Sequence, residues 1–212
     1  MRELSNVLIL GDSYSTFEGE IPDGYRWFYD SVPTRNTDLT KLSQTWWRIV
    51  LDATGAELLL NSSFSGSTVC NTGYEGEDAS ETSFVTRLDR LINEGFFDKN
   101  RVDTVFVFGG TNDSWAGSPT GENKYSDWNE KDLYCAFPAF SYMIKRLTDV
   151  VDSENIIVIL NDELSSEIAG SYKETLQHYN VRYISLWEID KTDGHPGVLG
   201  MKQIALQILE NL

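Results

Sequence analysis

Positive charge is scarce in this 212-residue chain: 17 Lys and Arg face 33 Asp and Glu, a net charge of −16. Such a surface repels phosphate backbones and anionic lipid. No basic cluster overrides it, so nucleic acid and membrane surfaces are not expected as partners, and a neutral substrate suits the chain better. Cysteine is scarcer still. Cys70 and Cys135 lie far apart and form no Cys-x-x-Cys pair, which argues for free core thiols rather than a disulfide framework or a zinc site. No His/Cys/carboxylate spacing suits a metal, and no cofactor is expected. Apolar runs are short everywhere, well below the roughly 18 residues that cross a membrane. The one in "MRELSNVLILGDS" reads as a first strand rather than a secretory leader. That points to a cytoplasmic chain, with a processed, secreted form as the other possibility. Finally, there are only two histidines, His178 and His195.

What is present is a repeating alternation. Short, continuous, β-branched runs occur at 6–10, 57–61, 103–110, 155–161 and 181–186, each bounded by polar residues or glycine. Strands buried on both faces read this way. Helical patterns separate them: "KLSQTWWRIVLDATG", "SFVTRLDRLINEG", "LYCAFPAFSYMIKRLTDVV", "SSEIAGSYKETLQHYN" and "GVLGMKQIALQILENL". In the second, Phe84, Leu88, Leu91 and Ile92 share a face; in the third, Pro138 marks a first turn or a kink. The alternation predicts an α/β fold, a three-layer α/β/α sandwich around a five-stranded parallel sheet. With no repeat, linker or low-complexity tract, residues 1–212 are expected to form one domain. Two stretches, 14–37 and 111–131, read as long irregular loops whose aromatic content argues for function rather than disorder.

Ligands of open parallel sheets bind at the carboxyl ends of the strands. The first run ends in Asp12 and Ser13, the second leads to Gly66, the third to Asn112 and the fifth to Asp190, Asp193 and His195. A serine needs a base to become a nucleophile. His178 lies late in a helical pattern, where a polar or positive residue is favourable on its own account, so His195 is the credible base. Its activity should rise as the imidazole loses its proton, around pH 6–7. Asp193 is the first candidate for the acid that orients His195, with Asp190 or a Ser–His dyad as alternatives. The N–H groups of Ser13 and Gly66 and the Asn112 amide are candidate oxyanion donors. Each of these residues also has an ordinary reading as a turn residue; their coincidence at strand ends favours chemistry. Asp12, Tyr14, Trp27, Trp115 and Trp128 are the expected substrate-binding residues, and Trp47, inside a helical run, is expected in the core.

The blocks "GDSYS" at 11–15, Gly66 within "NSSFSGS", "GTND" at 110–113 and "HP" at 195–196 resemble, in order and across nearly the whole chain, those of the SGNH hydrolases, the GDSL lipase/esterase family. The resemblance implies a flavodoxin-like fold, Ser13 as nucleophile, Gly66 and Asn112 as oxyanion donors and His195 as base. The family's acid usually stands three residues before the histidine; that position here is Thr192, so the third member stays open. The loops look like those of bacterial members. A Gly-x-Ser-x-Gly elbow is absent. The expected activity is a serine hydrolase cleaving a small acyl ester, acetyl in the first instance, on a small molecule or carbohydrate. An acyltransferase on the same site and a non-catalytic carbohydrate-binding module are the alternatives. The sequence gives no oligomeric state.

Overall fold

A computed structural model describes residues 4–32 and 35–212. Residues 1–3, at the head of the segment read as lacking a leader, and residues 33 and 34, inside the aromatic-rich stretch 14–37, lie outside the described residues.

All five apolar runs become strands: β1 (Val7–Gly11), β2 (Leu58–Ser63), β3 (Thr104–Phe108), β4 (Ile156–Leu160) and β5 (Arg182–Ser185). They form one parallel sheet in the order β2-β1-β3-β4-β5. Because strand side chains alternate, each central strand feeds two cores. Leu8, Leu10, Val105, Val107, Ile156 and Val158 point into one apolar cluster. Val7, Ile9, Phe106, Phe108, Ile157 and Ile159 point into the other. Full burial of such side chains contributes about 1.5–3 kcal/mol each, which is why these runs are continuous rather than alternating.

Helices cover both faces. On the first lie α2 (Phe84–Asn93), α3 (Phe96–Lys99), α5 (Ala136–Thr148) and α6 (Ser166–His178); on the second lie α1 (Trp46–Thr54) and α7 (Val198–Glu210). Thr45, Ser83 and Ser165 cap α1, α2 and α6 by accepting from backbone N–H groups of the first turn. Pro138 occupies the first turn of α5, where its missing N–H costs no helical bond. Trp47 is buried, as a helical core residue should be.

Two short elements were not legible as such. A six-residue helix, α4 (Thr111–Ala116), opens the stretch read as irregular; Gly110 and Gly117, both at positive φ, bound it too tightly for any helical period to show. A two-residue hairpin, β6 (Lys191–Thr192) with β7 (His195–Pro196), precedes α7.

The order places β2 on one side of β1 and β3 on the other. The chain therefore reverses its direction of growth at β1, and the crevice beyond the carboxyl ends of β1 and β3 is the switch point where such sheets bind ligands. Ser13 and Asn112 follow those two strands.

Candidate active site

The turn after β1 is fixed from several sides. Asp12 accepts from the Tyr14 N–H at 3.1 Å and starts a single 3₁₀ turn at Ser13. The Ser15 carbonyl accepts from the Asn61 amide at 2.8 Å and from the Trp47 indole at 3.0 Å, while the Ser15 hydroxyl accepts from the Trp46 indole at 3.2 Å. Ser13 is 3% exposed, so its hydroxyl faces a confined space. Asp12 is buried too. One of its carboxyl oxygens has no partner among the described residues, and burial pushes the group up to about 7 against the pull of the Tyr14 N–H and the Arg87 guanidinium.

Arg87 of α2 ties this turn to the next loop. Its guanidinium donates to the Ser62 carbonyl, to the Gly11 carbonyl at 3.0 Å and to the Ser67 hydroxyl at 3.0 Å, and lies over the Phe84 ring. A buried cation is tolerated only when its donors are so used. The loop it holds carries Gly66, exposed and at φ +86°, a conformation that favours glycine. No group among the described residues accepts the Gly66 N–H.

Asn112, on α4, completes this wall. Its carbonyl oxygen accepts from the Tyr74 hydroxyl at 2.7 Å and its amide nitrogen donates to the Ser67 carbonyl at 2.9 Å. Those partners fix which atom is nitrogen, because a carbonyl only accepts and the tyrosine donates. One amide hydrogen remains for a ligand. The neighbouring Asp113, fully buried, accepts from the N–H groups of Val69 and Cys70 at 2.8 and 3.2 Å and so locks α4 to the loop after β2. Burial raises its carboxyl, and those backbone bonds oppose the rise.

His195 reaches this wall from the far end of the chain. Its Nε2 lies 3.0 Å from the Ser13 hydroxyl, and its Nδ1 lies 3.3 Å from the backbone carbonyl of Asp193. A carbonyl only accepts, so Nδ1 carries the hydrogen and Nε2 is free to take the serine proton. The carboxylate of Asp193 turns elsewhere and accepts from the Asn36 amide at 2.9 Å. The hairpin explains this. Asp193 and Gly194 are its two turn residues, at φ +50° and +76°, the Asp-Gly pair that a tight primed turn favours. In that turn the main-chain carbonyl, not the side chain, faces the ring. Asp190 makes no bond to the imidazole; it lines, with His195, Asp38 and Thr192, a polar cavity of about 250 Å³.

The hairpin itself is anchored. Tyr14 donates to the Gly194 carbonyl at 2.5 Å and Tyr29 to the Pro196 carbonyl at 2.8 Å. Lys191 pairs with Asp162 and Glu163 beyond β4, and Asp38 accepts from the Val198 N–H at 2.8 Å at the start of α7. Burial lowers the His195 imidazole below its ordinary value; the Asp193 carbonyl opposes this and the Arg35 charge reinforces it.

The expected substrate-binding residues divide. Trp115 stands 5.7 Å from the His195 ring and is 38% exposed, well placed to meet a ligand. Trp27, equally exposed, lines a cavity of about 530 Å³ with Arg26, Asp30 and Arg35. Asp12 and Tyr14 are buried, and their polar groups serve the turn and the hairpin. Trp128 is not among the rings around His195: its indole donates to the Lys124 carbonyl and its ring packs on Tyr142 of α5, so it stabilises its own loop. Three residues at the site escaped sequence reasoning. Arg87 carried a signal, a charge standing on the Phe84/Leu88/Leu91 face of a helix. Tyr74 and Phe28, whose ring lies flat on His195, carried none beyond being aromatic.

A model of the GDSL-like lipase/acylhydrolase family matches residues 5–212. Among solved structures, a candidate GDSL-like lipase from Bacteroides ovatus is 42% identical, with 99% of this chain and 98% of that chain covered and a TM-score of 0.91. One from Bacteroides uniformis is 43% identical, with 99% and 95% covered and a TM-score of 0.90. A carbohydrate acetylesterase from Sinorhizobium meliloti, 15% identical over 98% of this chain and 97% of its own, shares the fold with a TM-score of 0.62. A comparison with curated proteins finds no match.

Proposed function

The chain belongs to the GDSL-like lipase/acylhydrolase family and is a carboxylic ester hydrolase, and from that premise we propose that Ser13 and His195 hydrolyse a small acyl ester, acetyl in the first instance, carried by a neutral carbohydrate. The observation that carries this reading is the 3.0 Å approach of His195 Nε2 to the Ser13 hydroxyl beside free amide hydrogens.

His195 takes the serine proton as Oγ attacks the ester carbonyl. The oxyanion that forms lies between the N–H groups of Ser13 and Gly66 and the remaining hydrogen of the Asn112 amide. The imidazolium returns its proton to the leaving alcohol, and water repeats the sequence to free the acid. Among the described residues no carboxylate bonds to the imidazole; the Asp193 carbonyl favours the same tautomer that an acid would. The catalytic unit is a dyad, within residues 1–212 taken as one domain.

A neutral sugar is favoured by the exposed rings of Trp27 and Trp115 on a strongly acidic surface. The fold shared with a carbohydrate acetylesterase agrees with this choice. A non-catalytic sugar-binding module has no use for a serine–imidazole contact.

The test is a panel of acetylated sugars and p-nitrophenyl esters of rising chain length, with Ser13→Ala as control. Turnover should be highest on acetyl esters and should fall by about 10⁴–10⁶ in the variant. Equal rates in wild type and variant would remove the serine mechanism. Because the His195 imidazole is held below its ordinary value, the acidic limb of kcat/KM should lie below pH 6.5.

A further inference from the structure

We propose that Phe28, backed by Arg35, is the positioning residue that stands in for the missing triad acid: its ring fixes the plane of the His195 imidazole, while the Asp193 carbonyl fixes the ring's rotation. The inference rests on His195 acting as the base.

A carbonyl at 3.3 Å orients an imidazole weakly. It selects the tautomer only while the ring keeps that bond, and alone it does not stop the ring from tilting away from it. Phe28 removes the freedom. Its ring is parallel to the imidazole within 2°, with centroids 3.6 Å apart, so the two are in contact face to face. The Tyr14 ring, edge-on at 5.5 Å, and the Trp115 ring, tilted at 5.7 Å, flank the imidazole as well.

Phe28 is itself referenced to the nucleophile. Its N–H donates to the Thr16 hydroxyl at 2.9 Å, and that hydroxyl donates to the Ser13 carbonyl at 2.9 Å. One threonine thus sets the height of the stacking ring relative to the attacking serine. The next residue, Tyr29, holds the carbonyl of Pro196, the neighbour of the base. The Arg35 guanidinium also lies over the Phe28 ring, 4.9 Å from its centre, and donates to the Phe28 carbonyl at 2.9 Å.

The Arg35 charge has a chemical consequence for the imidazole. A triad carboxylate favours the imidazolium; a guanidinium nearby disfavours it. The other groups facing His195 do not cancel the effect in kind. Tyr14 spends its hydroxyl on Gly194, Trp115 is neutral, and the Asp193 carboxylate is turned to Asn36. Asp38 and Asp190 share the polar cavity with the ring, and their charge is opposite in sign to that of Arg35. Removing Arg35 therefore tips the balance toward the protonated ring.

With only two histidines in the chain, ¹⁵N NMR of the resting protein reads the ring directly, and His178→Gln leaves a single imidazole to follow. In the wild type His195 should show one neutral tautomer, protonated at Nδ1. In Phe28→Leu that signature should become an average of tautomers, and kcat should fall about 10–100-fold at unchanged KM, the loss expected of a misplaced catalytic group. Phe28→Tyr should restore both. Arg35→Gln should keep the tautomer and shift both the NMR titration and the acidic limb of kcat/KM upward, and Arg35→Lys should shift them less. A Phe28→Leu protein with the wild-type tautomer and kcat overturns the role of the ring, as does an equal loss in Leu and Tyr variants. A titration that Arg35→Gln leaves in place or moves down overturns the role of the charge. If His195→Ala retains turnover, the base assignment fails, a result separable from the NMR of the resting ring.

Discussion

Ser13 and His195 meet at 3.0 Å, yet the segments that carry them are built differently. The serine side is buried at the end of a central strand. Two indoles, the Asn61 amide and the Arg87 guanidinium hold its turn and the loop beside it. The histidine side is a two-residue hairpin near the surface, tied down by the hydroxyls of Tyr14 and Tyr29 and the ammonium of Lys191. On the serine side most polar atoms are committed and few alternatives exist. On the histidine side the imidazole meets a main-chain carbonyl and an aromatic face, and Asp193 is spent on turn geometry. On the proposed reading, a rigid wall of donors faces a base held by less specific contacts.

Substitutions break this comparison in graded steps. The largest effect belongs to the pair itself. His195→Ala should cost about 10⁴–10⁶ in kcat and Ser13→Ala no less, with the double variant scarcely worse than either, because residues that act as a unit are not additive. Steady-state rates on p-nitrophenyl acetate check this. Next comes the donor wall. Asn112→Ala should lower kcat by about 10²–10³ with little change in KM, the usual loss for one oxyanion donor.

The base side should be far more forgiving. Asp193→Asn keeps both the backbone carbonyl and a residue that tolerates positive φ, so kcat should change by less than about 10-fold, against the roughly 10⁴ that follows loss of a working triad acid. A loss near the larger value would mean that the carboxylate, not the carbonyl, serves the ring during turnover.

The smallest expected effect is on stability. The Asp12 carboxyl stands at about 7 in the folded chain, above its ordinary 3.8. Between those values the folded state keeps a proton that the unfolded chain releases, so this group's contribution falls as pH rises through the window. Asp12→Asn, which preserves the cap on Tyr14, should therefore raise Tm more at pH 8 than at pH 5. Thermal melts of the two proteins at both pH values measure it, and an equal shift would contradict the burial argument.

The same contrast explains what could be read from sequence. The serine side was legible because its chemistry follows directly from continuous apolar runs: residues just past β1 and β3 must emerge at one edge of a parallel sheet, so Ser13 and Asn112 could be brought together without coordinates. The hairpin was not. "TDGH" suggested both an acid beside a base and a turn, and only the φ values of Asp193 and Gly194 show that the turn takes precedence and sends the carboxylate to Asn36. Phe28 was hidden for a different reason. It lies in a loop without periodicity, and whether an aromatic side chain there lies on His195, as Phe28 does, or on its own loop, as Trp128 does, depends on contacts that no local pattern encodes. Arg87 was more accessible, since a charge on an apolar helical face demands acceptors, and the carbonyls of Gly11 and Ser62 supply them.

The most direct measurement for the dyad is covalent labelling of the native protein with phenylmethylsulfonyl fluoride, followed by peptide mass spectrometry. A single adduct on Ser13 is expected, formed at a rate that rises as His195 loses its proton and nearly absent in His195→Ala. An adduct on another serine of the site, such as Ser15 or Ser67, or equal labelling without the imidazole, would contradict it.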